Sequence, residues 1–211
     1  MRGSGGRKHG KMTGGRLEDH KLDSVDAVDA HYRKCVGGEP EYVRFAQDRG
    51  LIGLLEWPKG SSKIGLHIYA TFGLHALVHG SPSHGLGHGF EIFAIVDAGT
   101  DEFRSALAMM ANDLVTDQTV VQPGETVTYE NSHIIEGLQF TSWLMLESYD
   151  NLIPDLSLSD GGHVVFLYAT PIFREEAQYL RENGLEALFD VWEKDNPRLE
   201  DLGRGVPPSL R

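Results

Sequence analysis

Lys63-Ile64-Gly65-Leu66-His67-Ile68-Tyr69-Ala70-Thr71-Phe72, and after a Gly- and His-rich excursion Phe90-Glu91-Ile92-Phe93-Ala94-Ile95-Val96, form the stretch whose reading decides the fold. From Ile64 the apolar residues Ile64, Leu66, Ile68, Ala70 and Phe72 fall on every second position. Lys63, Gly65, His67, Tyr69 and Thr71 lie between them. Successive strand side chains point to opposite faces, so a period of two predicts a half-buried strand. Phe90 to Val96 is apolar apart from Glu91, the pattern of a central strand covered on both faces. Five histidines, His67, His75, His79, His84 and His88, lie in or between the two strands and are the most distinctive chemistry of the chain.

Toward the N-terminus, Pro58-Lys59-Gly60 is a turn and Leu51 to Trp57 a strand. Ser24 is read as the N-cap of a helix to Cys35, with Val25, Val28, Tyr32 and Cys35 on one face and Gly37-Gly38 as its stop. Toward the C-terminus, Ala98-Gly99-Thr100 turns into a helix capped by Thr100 or Asp101, its buried stripe being Phe103, Leu107, Met110 and Leu114. The Met109-Met110 pair is read as core filling. Thr119–Gln122 and Thr126–Glu130, about the turn Pro123-Gly124-Glu125, read as a hairpin-like pair, and Ser142–Ser148 as a further strand. After a polar loop from Asn151 to Gly162, His163–Ala169 is the last strong strand, broken at Pro171. Two short helices close the chain: Arg174–Arg181, and one carrying Leu185, Leu188, Phe189 and Trp192 that stops before Pro197. This order predicts an α+β domain with one mixed, mostly antiparallel sheet flanked by helices. Its limits are set at residues 17–204, with a basic tail or tag remnant at 1–16 and a loose tail at 205–211.

The 211 residues fit one domain, 40% hydrophobic and 24% charged, with no run of about 18 apolar residues to span a bilayer. No apolar signal core precedes the domain, and Cys35, the only cysteine, can form no internal disulfide; both point to a reducing, cytoplasmic setting. Cys35 itself reads as a small buried hydrophobe. The net charge of −12 hides an asymmetry: Arg2, Arg7, Lys8, Lys11 and Arg16 stand together without an acid, leaving 14 bases against 31 acids, or −17, for the rest. A surface that negative repels phosphate backbones and anionic lipid and attracts basic partners, which disfavours direct nucleic-acid or membrane binding. Met1-Arg2-Gly3-Ser4 and Met12-Thr13-Gly14-Gly15 resemble strings left by expression vectors and are set aside.

His75 and His79, like His84 and His88, have the i,i+4 spacing that places two imidazoles on one helix face for a metal, which raises a metal-dependent enzyme as the alternative function. Neither pair encloses the Glu of a zinc hydrolase, and the Pro- and Gly-rich surroundings of His84 cannot hold a helix. A site built across strands from His67, His75 and Glu91 is the other geometry considered. Gly85-Leu86-Gly87-His88-Gly89 leads into a strand rather than a helix, so it is read as a turn and not a phosphate loop. No Gly-x-Ser-x-Gly elbow singles out a nucleophile, and Asp101-Glu102 and Glu175-Glu176 sit where helix N-termini favour acids. No cofactor is expected.

Leu66-His67-Ile68-Tyr69-Ala70-Thr71-Phe72-Gly73-Leu74, followed by Gly87-His88-Gly89-Phe90-Glu91-Ile92-Phe93, resembles the paired signature of the suppressor-of-fused (SUFU) domain family. Gly162–Tyr168 with the acidic helix after it, and Leu199-Glu200-Asp201-Leu202-Gly203-Arg204 near the end, are similar to later motifs of that family. The resemblance runs from Val25 to Arg204 and fits the bacterial single-domain type. It implies a protein-binding module rather than an enzyme. The animal member clamps an extended peptide of a transcription factor beside a sheet strand, and bacterial relatives are read as immunity proteins against toxin domains. Tyr69 matches the family tyrosine that lines the peptide groove, so the resemblance makes Tyr69, with His67, His75, His79 and Glu91 around it, the candidate partner-binding set. The family's acids after Phe-Gly-Leu are replaced here by His75 and His79, so peptide specificity does not carry over. The expectation is a non-enzymatic immunity-type protein that neutralises a basic toxin domain, with a scaffold subunit as a further alternative.

Overall fold

A computed structural model describes residues 15–47, 50–78, 89–129, 134–135, 137–148, 152–159 and 161–211, with side chains described from residue 23 onward and outside 44–51. Helix α1 (Gly15–Val36) leads into β1 (Glu41–Gln47), β2 (Gly50–Trp57) and β3 (His67–Phe72), then a 3-10 turn (Leu74–Ala76) and β4 (Gly89–Val96). Helix α2 (Asp101–Asp117) follows, then β5 (Thr126–Thr128), β6 (Phe140–Leu146), β7 (Leu156–Ser157), β8 (His163–Phe173), α3 (Arg174–Asn183) and α4 (Leu185–Asp195). The strands make one sheet in the order β1-β2-β3-β4-β8-β6-β5, with β7 also paired to β8. Among the described ladders, only β4 with β8 is parallel. The α+β mixed-sheet expectation is met.

Both faces of the sheet are covered, and this changes the reading of β3. Its residues are buried from end to end instead of on alternate positions. Ile68, Ala70 and Phe72 join Val28, Tyr32 and Val36 of α1 in one core. Tyr69 joins Phe103, Leu107 and Met110 of α2 in the other. The alternation in the sequence therefore separates two buried faces, one taking aliphatic residues and the other polar and aromatic ones. The strand also starts at His67, because Lys63–Leu66 are held in a turn by Lys63 N–H to Val36 O and Gly65 N–H to Ser62 O. In β4 every residue is buried, as expected.

Several local expectations shift. Ser24 lies inside α1 and not at its cap, since the helix begins at Gly15. Thr100 does cap α2, its hydroxyl accepting from Phe103 N–H at 3.1 Å. Met110 is core, but Met109 is 46% exposed. Thr119–Gln122 forms no strand. β5 pairs instead with β6, Val127 opposite Trp143. Pro171 does not end β8, which continues to Phe173 with Pro171 opposite Trp143. The parallel ladder to β4 stops at Tyr168, so Pro171 occupies a stretch with a free side, where a missing N–H is tolerated.

The C-terminal segment is fastened by a buried ion pair. Arg204 Nη1 and Nη2 donate to Glu176 Oε1 and Oε2 at 3.0 and 2.9 Å, and Nη2 also donates to Pro171 O at 3.0 Å. Glu176 further accepts from Phe173 N–H and Trp192 Nε1–H, both at 2.8 Å. The guanidinium lies 4.8 Å from the Phe173 ring centre and 5.3 Å from that of Phe140. Beyond it, Pro208–Leu210 form a 3-10 turn in which Ser209 N–H and Oγ–H donate to Asp195.

Candidate functional site

The polar residues of the organising strands gather into two clusters at opposite ends of β3. At its C-terminal end the chain turns at Gly73, whose φ of 94° suits glycine, and winds into the 3-10 turn that carries His75. This aims backbone N–H groups at Glu91 of the adjacent β4. Glu91 Oε1 accepts from Gly73 N–H at 2.9 Å, His75 N–H at 3.1 Å and His75 Nδ1 at 2.6 Å. Its Oε2 accepts from the Thr71 hydroxyl at 2.6 Å, and Thr71 Oγ1 in turn accepts from Ile92 N–H at 2.8 Å. Glu91 is fully buried, and the Gly73 and His75 N–H groups and the Thr71 hydroxyl all donate to it, with the His75 ring as its fourth neighbour. On its far side, His75 Nε2 lies 3.1 Å from Ser24 Oγ on α1. Gly89 allows this close packing: a Cβ there would stand 2.6 Å from His75 O. The Tyr32 hydroxyl is pushed well above the ordinary tyrosine range, first by burial and then by the charge of Glu91.

At the N-terminal end of β3, His67 Nε2 lies 2.8 Å from Glu56 Oε1. Arg104 of α2 holds the other oxygen of Glu56 at 2.9 Å and reaches Asp101 at 2.6 Å. The His67 ring stacks on Tyr69, with centroids 4.6 Å apart. The Tyr69 hydroxyl donates to Thr100 O at 3.2 Å and is raised above the usual tyrosine range, chiefly by burial.

Of the sequence-derived candidates, His67, Tyr69, His75 and Glu91 are all buried, His67 being the most exposed at 8%. The structure brings His75 together with Glu91 and sends His67 to Glu56, so these three do not converge. His79, His84 and His88 lie outside the described residues. Among the described residues, no three His, Cys, Asp or Glu side chains are grouped to hold a metal ion. Cys35 is half-buried, lies 3.7 Å from His31 Nε2, and has its thiol pushed up by burial. Sequence reasoning missed Ser24, Glu56 and Thr71 as partners in these clusters. The strand period places Thr71 on the same face as His67 and Tyr69, but that β4 lies beside it, like the other two pairings, comes only from the tertiary fold.

A separate cleft of about 600 Å³ opens where α2, the start of β5 and the α3–α4 corner meet. Its rim carries Asp113, Asp117 and Glu125 against a single Arg181, with Leu180 and Leu185 in its wall. It adjoins β5, the last strand on that side of the sheet.

This mixed sheet with its helices is similar in fold to solved SUFU-type structures. A SUFU homologue from Neisseria gonorrhoeae superposes with a TM-score of 0.62 at 18% identity, covering 90% of this chain and 97% of that one. The structure of the Sufu–Fu complex gives 0.59 at 14% identity, over 89% and 91%. Drosophila Suppressor of Fused gives 0.61 at 12% identity, over 89% of this chain and 50% of the fly protein. The family model described as Suppressor of fused protein (SUFU) matches residues 50–205. The chain belongs to the suppressor of fused family. No curated protein matches it. Among the described residues, no helix is long and apolar enough to cross a membrane.

Proposed function

We propose that the chain is a non-enzymatic protein-binding module that acts in a bacterial cytoplasm as an immunity-type protein, neutralising a basic toxin domain. The observation that carries this reading is the family match over residues 50–205. A relative of similar fold is known in complex with a protein, Fu. The excess of acid, 31 Asp and Glu against 19 Lys and Arg, supports a basic partner. The cleft carrying Asp113, Asp117 and Glu125 supplies a concave acidic surface beside an edge strand, where an extended segment can add to a sheet. In this reading Tyr69, His67, His75 and Glu91 serve binding from beneath, by fixing the shape of the β3–β4 region. His79 completes that candidate set.

The test is affinity capture from the source organism, then titration of the purified partner at rising salt. The expected result is one basic protein whose affinity falls at least about tenfold between low and high ionic strength, as charge attraction is screened. Neutralising Asp113, Asp117 and Glu125 together is expected to flatten that salt dependence. An acidic partner, or binding indifferent to salt, would overturn the proposal.

A further inference from the structure

We propose that the outer edge of β5 is a strand-addition slot for a partner segment in which basic and apolar side chains alternate; this rests on the reading of the chain as a binding module for a basic partner. β5 is the last strand of the described sheet on its side, and three strands, β4, β8 and β6, separate it from β3. The ladder to β6 fixes its backbone directions. Glu125 O accepts from Met145 N–H at 2.9 Å, and Tyr129 N–H donates to Thr141 O at 3.0 Å. Residues 125, 127 and 129 therefore turn their backbone groups toward β6. In an antiparallel pair these directions alternate, so Thr126 and Thr128 turn theirs outward. Each presents an N–H and a C=O to an incoming strand.

The two walls of the slot differ, because the cleft beside β5 is lined from both faces of the sheet. Val127 and Tyr129 pack with Phe103 and Leu107 of α2 on one face, where the Tyr129 hydroxyl donates to Asp113 at 2.9 Å. Leu144, opposite Thr126, packs with Leu180 and Leu188 of α3 and α4 on the other. A Cβ placed on Gly124 would stand 3.6 Å from Leu185, which brings the α3–α4 corner up to the start of the strand. The edge of β5 is thus the floor of a groove with Asp113, Asp117 and Glu125 on one side and Leu180 and Leu185 on the other. A strand laid along that floor sends successive side chains to opposite walls. Lysine or arginine fits the acidic wall, and valine, isoleucine or leucine the leucine wall. Arg181 stands on the second wall and repels a cation there, so a register slipped by one residue sets like charges together. Backbone pairing supplies affinity, and the unlike walls select the sequence.

The experiment uses the full chain and fluorescein-labelled synthetic peptides, read by fluorescence anisotropy. One peptide alternates lysine and valine; its isomer has the same residues with the lysines in one block. The expected outcome is that the alternating peptide binds at least about tenfold more tightly, although the two carry equal charge. N-methylation of every second amide should abolish binding in one phase and spare it in the other, since one set of amides faces β5. Thr128→Pro removes an outward N–H and leaves the ladder to β6 in place, so it should weaken the alternating peptide at least about tenfold. Should Thr128→Pro not fold, the isomers and the methylated pair still decide. Equal affinity of the two isomers, the same response to both methylation phases, or no binding up to about 1 mM would overturn the slot. A captured basic partner that binds Thr128→Pro as well as the parent also overturns the slot, but leaves the basic-partner reading standing. An acidic captured partner overturns that reading, and the peptides then decide the slot by themselves.

Discussion

A carboxylate taken wholly out of water costs several kcal/mol unless donors replace its hydration, and Glu91 has three of them, with the His75 ring as a fourth neighbour. Three of these four contacts come from one turn of chain, Gly73 to His75, so the residue determines how that turn sits against β4. Glu91→Gln turns an oxygen that accepts into an amide that must donate toward N–H or O–H groups already there. The expected cost is about 3 kcal/mol of folding stability, read as a lower urea midpoint with an unchanged slope. Glu91 could be picked out from the sequence because it is the only charge in an apolar strand. Ser24 could not be read correctly, since 51 residues separate it from His75 and a serine before an amphipathic run looks like a cap. The same blindness hid Glu56, whose link to His67 is set by β2 lying beside β3.

Elements with one strong period were legible, and those decided by neighbours were not. The apolar run of β4 and the stripe of α2 announced themselves, and both are buried as expected. The alternation of β3 was real, but a helix on each side makes both of its faces interior. Thr119–Gln122 has strand-like composition, yet β6 already provides the partner of β5, so the segment stays irregular. Pro171 shows the reverse case, a strand breaker admitted because the neighbouring ladder has ended. The packing of the 3-10 turn onto β4 depends on Gly89, where a methyl group would stand 2.6 Å from a backbone oxygen and 2.9 Å from a Cα of His75. Backbone cannot swing aside as a side chain does. Gly89→Ala is expected to cost about 1–3 kcal/mol, and amide exchange should show the loss concentrated in Gly73–His75 and β4.

On the scale of the whole molecule, the last element is held by Arg204, which meets Glu176 through both guanidinium nitrogens under the rings of Phe140 and Phe173. Truncating it leaves Glu176 charged and buried with only Phe173 N–H and Trp192 Nε1–H to hold it. Arg204→Ala is therefore expected to lose about 3–5 kcal/mol, and limited proteolysis should cut after residue 196 sooner than in the parent. Arg204→Lys should restore little, because a lysine cannot span both oxygens. The sequence motif around Leu202 suggested family membership but carried no hint of this clamp, which needs three elements distant along the chain.

The strand order has a kinetic side. β1 to β4 are neighbours in both sequence and space, and β5, β6 and β8 make a second contiguous set. The two sets meet along one ladder, where Gly89 faces Val164 across 75 positions of chain. Contacts that distant are the slow ones to form, so the two halves are expected to zip first and close like a book along β4 and β8. In that sequence of events, the carboxylate at position 91 lies on the spine.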